Sequence, residues 1–337
     1  MSLVRIVLRA AWTALRRQQE SLVKVPANNI FYAAMAFAFM IDPPAATFLL
    51  GLAGLVLIFP LSADPLRLVP RSRLQLWPLS RRDYRQLRAI SPWLNPITWV
   101  VVAVVLWRHV AADLAAVVAG LFLVAFVTPA FAGKLRSGGM GWLPRLPGTT
   151  GQLMRKNLRG LMTTLDFYCA LIPGAGAAAY RVAGLLPADA GLPLTWIVLL
   201  CISTCAQTLF GLDGKAGMTR YRLIPLSGWR VLLAKDLAFL TVVVLLTVAL
   251  SPVAGLAGGL VALAAVRHAA ITENRPQTRW RLQAGTSFGA AITQMVLMVG
   301  AASWANSAGP LVLVPCVAVW AGSLWWGGRL LDGRNGN

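Results

Sequence analysis

The sequence predicts an all-α fold: a polytopic integral membrane protein of about ten transmembrane helices, with a parallel internal repeat and an N-terminal interfacial helix. Three observations carry that expectation. Of 337 residues, 58% are hydrophobic and only 12% charged, against roughly 25% charged residues in soluble domains. The apolar residues form long runs, and short basic clusters separate those runs. Lys and Arg total 31 against 11 Asp and Glu, a formal charge of +20, and this excess sits in alternate connections, where cytoplasmic loops hold positive charge. On a soluble chain such a charge would point to nucleic acid; its placement between apolar runs argues against that partner.

The first element in chain order is Val4 to Lys24, in which Arg5, Arg9, Arg16 and Arg17 are interspersed among apolar residues. That pattern reads as an amphipathic helix on the membrane surface rather than a cleavable signal peptide. A span needs about 17 to 25 largely apolar residues, fewer in a tight hairpin. The expected spans of the first half are Asn28 to Ile41 and Ala45 to Leu61, turning at Asp42-Pro43-Pro44, then Pro92 to Trp107 and Ala111 to Ala132. Those of the second half are Phe167 to Leu186, Leu192 to Leu212, Asp236 to Leu250, Val253 to Val266, Gly285 to Ala305 and Pro310 to Gly328.

Basic residues test this topology. The N-terminus to Ala27 holds five, Ser62 to Ser91 seven, Gly133 to Leu165 six, Leu212 to Lys235 five, Arg267 to Gln283 four and the tail from Arg329 two. Only Arg108 and Arg181 remain. Both termini and the long loops are therefore expected in the cytoplasm of a bacterial inner membrane, with short connections opposite.

Two basic loops repeat one another. Arg73-Leu74-Gln75-Leu76-Trp77-Pro78-Leu79-Ser80 aligns with Arg220-Tyr221-Arg222-Leu223-Ile224-Pro225-Leu226-Ser227. Each follows a hydrophobic hairpin and an aspartate, Asp64 or Asp213, and each hairpin follows a basic amphipathic stretch, Val4 to Lys24 or Gln152 to Leu165. The expected halves are residues 1–150, with about four spans, and 151–337, with about six. Both enter the membrane the same way round, unlike the inverted repeats of many secondary transporters.

After each Pro-Leu-Ser comes a basic amphipathic run, Arg81 to Arg88 or Gly228 to Asp236. Proline ends the preceding structure, and Ser80 and Ser227 are placed to cap a new helix. A short helix at the cytoplasmic surface is expected there before the chain re-enters the bilayer. It suits a rigid push from a partner; the alternative is a basic loop meeting anionic lipid headgroups.

Phe210-Gly211-Leu212-Asp213-Gly214, Arg220 to Ser227 and Leu233-Ala234-Lys235-Asp236 together resemble the cytoplasmic loop of permeases of the type-2 class of ATP-binding-cassette exporters. In that family an interfacial helix precedes six spans, and the loop between the second and third spans docks on the ATPase. The second half is similar to that whole plan, the first half only to its first four spans, which leaves open whether one chain or two complete the permease. The resemblance implies an exporter subunit whose coupling residues are Pro78, Ser80, Arg81, Arg82, Arg85, Pro225, Ser227, Trp229, Arg230 and Lys235. It also implies a cytoplasmic ATPase subunit that carries ATP and Mg, and a homodimer or second permease chain. No cofactor is expected on this chain, which lacks G-x-x-x-x-G-K-[ST].

Enzyme chemistry finds little support. His109 and His268 are the only histidines and fall on opposite membrane faces, Glu20 and Glu273 are the only glutamates, and H-E-x-x-H and G-x-S-x-G are missing. Cys169, Cys201, Cys205 and Cys316 lie in apolar runs and read as small core residues; the i, i+4 pair Cys201 and Cys205 has no third ligand nearby, so no metal is expected. Within spans, Arg181 reads either as snorkelling to the outer interface or as facing a substrate. Gln207 and Gln294 are expected to bond neighbouring helices. Glycines 174, 176, 255, 259, 285 and 289 are expected at close helix contacts. The acidic residues are read as lying in loops or at span ends, which lowers the case for an ion-coupled secondary transporter. That transporter and a non-transporting membrane scaffold are the competing readings.

Overall fold

The computed structural model describes residues 3–17, 77–90, 94, 144, 146–213, 221, 226–272, 285 and 287–335. Among them every regular element is helical. The expected spans of the first half, with Asp64, Arg108, His109 and Pro225, lie outside the described residues. The described residues belong to two compact units, taken separately below.

The first unit contributes α1 (Leu3–Arg17) and α2 (Arg81–Ile90). Both are strongly amphipathic, because their apolar residues recur at helical spacing among arginines. Val4 and Val7 of α1 and Leu87 of α2 are buried together, with Leu8, Trp77 and Leu79 packed around them.

The second unit opens with α3 (Gly148–Leu161), which carries Arg155, Lys156 and Arg159. The chain then bends by 79° into α4 (Leu165–Val182). Thr164 makes the corner: its hydroxyl accepts the Phe167 N–H at 3.2 Å and donates to the Leu161 carbonyl at 2.7 Å. One side chain thus serves the end of one helix and the start of the next. There follow α5 (Gly191–Gln207), α6 (Gly228–Thr247), α7 (Pro252–Thr272), α8 (Phe288–Ala308) and α9 (Leu313–Asn335). The six segments of this half expected as spans are all helical.

Two of them, Pro252–Thr272 and Pro310–Gly333, are long and apolar enough to cross a membrane. A third span results if the bent pair α3 and α4 is counted as one. At about 1.5 Å per residue, α7 reaches roughly 30 Å, the thickness of a hydrocarbon core.

α7 is the centre of the unit and packs against α5, α6, α8 and α9. Such close approach needs small residues: a Cβ on Gly258 would stand 2.5 Å from Leu199 Cδ1. Of the glycines expected at tight contacts, Gly174, Gly255 and Gly259 are tight, whereas Gly176 and Gly289 face open space. Residue spacing names a helix face but not which neighbour covers it.

Candidate functional site

The two Pro-Leu-Ser loops start their helices by different chemistry. Ser80 is the N-cap of α2: its hydroxyl accepts the Asp83 N–H at 3.1 Å, and Asp83 Oδ2 takes the Ser80 N–H at 3.0 Å and its hydroxyl at 2.6 Å. This is a capping box with aspartate as the third helical residue. The Ser80 hydroxyl and N–H, aided by Arg82, hold the Asp83 carboxyl below its usual range. Arg81, Arg82 and Arg85 are exposed on α2, as are Pro78 and Ser80 before it.

Ser227 occupies the N-cap position of α6, yet its side chain caps nothing. Asp332 of α9 does so instead, accepting the Gly228 N–H at 2.7 Å. Gly228 permits this approach, since a Cβ there would sit 2.6 Å from the Gly328 carbonyl oxygen. Trp229 and Arg230 are exposed beside the cap, with the guanidinium 5.4 Å from the indole ring.

The short surface helix expected after Ser227 is absent. Residues 228–247 form one helix, because Trp229 to Thr247 contains neither glycine nor proline to end it. Lys235 and Asp236 therefore lie inside that helix.

Lys235 is 3% exposed and turns inward. Its ammonium donates to Asp213 Oδ2 at 2.6 Å and to the Leu209 carbonyl at 2.7 Å, and lies 4.8 Å from the Phe210 ring. Asp213 ends the turn Gly211–Asp213 and also binds Lys156 of α3, 2.7 Å from its Oδ1. The Tyr221 hydroxyl donates to Asp213 Oδ2 at 3.0 Å and accepts from Lys156 at 3.3 Å. Burial pushes the Asp213 carboxyl up, but Lys235 and Lys156 outweigh it and hold it below its ordinary value. Burial, and then the Asp213 charge, push the Tyr221 phenol up. Two ammonium groups and one carboxylate leave the network with a surplus positive charge.

Deeper along α6 is a second cluster. Asp236 accepts both terminal nitrogens of Arg267, at 2.7 and 2.6 Å, and the Trp320 indole N–H at 2.9 Å. Asp236 is 0% and Arg267 1% exposed. Asp166, in the first turn of α4, is fully buried as well, so an acidic residue at the start of an expected span is not thereby exposed. Arg267, expected in a loop, sits in the last turns of α7. The signal was present: Asp236 begins one expected span and Arg267 follows the next, so antiparallel packing brings opposite charges to one level.

Gln207 and Gln294 link neighbouring helices. Gln207 Nε2 donates to Gln294 Oε1 at 2.7 Å, and Gln294 Nε2 donates to the carbonyls of Ser203 and Ala262, both at 3.1 Å. Gln294 of α8 thus stitches α5 to α7. Arg181 donates to the carbonyls of Ala249 and Leu250, at 2.7 and 3.2 Å, just beyond α6. A cation there answers the negative end of the helix.

Among the described residues no group of three or more His, Cys, Asp or Glu side chains is arranged to hold a metal ion. No family model, no curated protein and no solved structure matches the chain.

Proposed function

We propose that this chain is the membrane permease subunit of an ATP-driven exporter in a bacterial inner membrane, with both termini in the cytoplasm. A separate cytoplasmic ATPase would carry ATP and Mg and dock on Arg81, Arg82 and Arg85 of α2 and on Trp229 and Arg230 of α6. The observation that carries this reading is the anchoring of α6. Its exposed tip, Trp229 and Arg230, stands directly beside the Asp332 cap and about two turns from Lys235 and Asp236. A push on that tip reaches α3 through Asp213 and Lys156, and α7 and α9 through Arg267 and Trp320. Rigid side-chain connections of this kind transmit force between packed helices.

The test is affinity purification of the tagged chain from its native membrane in mild detergent, with an ATPase assay on the eluate. Wild type is expected to bring down a stoichiometric nucleotide-binding subunit. Charge reversal at Arg81 and Arg82, or the pair Trp229→Ala and Arg230→Glu, is expected to release that subunit while the permease keeps its melting temperature. A folded wild-type chain that purifies without an ATPase would refute the reading.

Buried Asp236 and Arg267 favour a second reading, an ion-coupled secondary transporter, because ionisable groups inside membrane helices often mark ion pathways. It predicts substrate flux in proteoliposomes that hold this chain alone and an imposed pH gradient. The exporter predicts none without its ATPase.

A further inference from the structure

Beside the Lys156–Asp213–Lys235 network is a pocket of about 60 Å³. Lys156 and Asn157 of α3, Thr208, Asp213 and Lys235 supply its polar lining, and Leu161, Leu209 and Leu212 part of its apolar lining. That volume is several times what one water needs, yet far below the few hundred Å³ of a drug-sized site. It suits one small polyatomic group.

The chemistry of the lining favours an anion. Asp213 is already engaged at both oxygens, Oδ1 by Lys156 and Oδ2 by Lys235 and Tyr221. Two ammonium groups share this one carboxylate, so one positive charge beside the pocket has no counter-charge within the network. Lys235 is committed to Asp213 and the Leu209 carbonyl, whereas the Lys156 side chain is 52% exposed and has a donor to spare. Asn157 turns Oδ1 toward Lys235 at 3.5 Å, as it must, since lysine only donates. Its Nδ2 is left buried without an acceptor. An unmade bond at such a donor costs about 1–3 kcal/mol, which an oxyanion in the pocket would remove.

Position indicates where the anion comes from. α3 meets α4 at 79°, so if α4 crosses the membrane, α3 lies along its surface at headgroup depth.

We propose that this pocket binds the phosphate group of a membrane phospholipid, held by Lys156 Nζ and Asn157 Nδ2 where α3, the 211–213 turn and α6 meet. The proposal rests on the membrane placement above and not on the ATPase. The surplus positive charge selects lipids of net negative charge. A lipid held there bridges α3 and the 211–213 turn to α6.

The experiment is native mass spectrometry of the full chain, delipidated in detergent and titrated with dioleoyl phosphatidylglycerol, dioleoylglycerol or inorganic phosphate. Wild type is expected to retain one phosphatidylglycerol and no dioleoylglycerol. Asn157→Leu and Lys156→Gln are each expected to weaken retention about tenfold or more, the loss of one charge-assisted hydrogen bond. Lys156 is half-exposed, so its variant retains the fold, and an unchanged melting temperature checks both. Equal lipid retention by both variants, or equal retention of dioleoylglycerol, would overturn the proposal. Inorganic phosphate bound as tightly as the lipid would overturn the lipid as source. A chain that alkaline carbonate washes from native membranes would refute the membrane placement itself; a membrane-retained chain without lipid selectivity refutes only the pocket.

Discussion

Lys235 and Asp236 are neighbours in the chain, yet each belongs to a different charge cluster. Lys235 joins Lys156, Asp213 and Tyr221 at the end of the bundle, where one member is half-exposed and positive charge is in surplus. Asp236 joins Arg267 and Trp320 between helices, with both ions sealed from solvent and the charges balanced one to one. Consecutive helical residues project about 100° apart, so one faces α3 and the turn while the other faces α7 and α9. The open cluster can exchange partners with water or a ligand. In the sealed cluster only neutral groups, Trp320 beside Asp236 and Ser323 beside Arg267, accompany the pair, so removing either ion leaves the other's charge unbalanced.

The largest effect is therefore expected from Arg267→Met, which leaves Asp236 buried and unpaired at a cost of about 3–5 kcal/mol. SDS-titrated unfolding measures it. The double variant Asp236→Leu with Arg267→Met should recover most of that loss, because neither ion is then desolvated alone. A double variant as unstable as the single one would mean that the pair shapes the helix contacts beyond its charges.

Lys235→Met comes next, at about 1–3 kcal/mol, the cost of stranding hydrogen-bonding groups at Asp213 and the Leu209 carbonyl. It should be milder than Arg267→Met, since Asp213 keeps Lys156 and Tyr221. The reverse order in the same unfolding assay would break the distinction between an open and a sealed cluster.

Acid sharpens the comparison further. The folded Asp213 carboxyl titrates below its unfolded counterpart, which has a pKa of about 3.9. Its contribution to stability is thus fully present above that unfolded value and is lost as pH falls through the lowered folded one. Unfolding midpoints measured down this acid range should decline in wild type and decline less in Asp213→Asn.

The smallest effect belongs to Lys156→Gln. Its side chain is 52% exposed, and ion pairs in solvent contribute about 0–1 kcal/mol. Stability should barely move, while the lipid retention proposed above falls.

Much of the helical plan was legible, because an apolar run of span length has few alternatives to a helix. Each of the six expected segments between Phe167 and Gly328 became one. Gln207 and Gln294 were legible as interhelical donors, and Ser80 as a cap, because a serine followed three residues later by an acid is a local signal. Ser227 was not: its position was right, but the carboxylate that does the work, Asp332, is more than a hundred residues away in the chain. The boundary before α6 was misplaced for a related reason. Charge at Lys235 and Asp236 read as a surface segment, whereas burial is acceptable once Asp213 and Arg267 supply the opposite charges.

Hydropathy by itself determined that α7 and α9 are fit for a membrane: both have a mean hydropathy of 1.6. It did not determine their roles. Within those windows 67% of α7 is buried inside the protein and only 28% of α9. Hydropathy is a sum over side chains, each counted alone, so it reports what a helix tolerates around it. Which neighbours a helix meets depends on all the others at once, and that is why the tertiary structure alone decided the central place of α7, the Asp332 cap and the two partners of the Lys235-Asp236 pair.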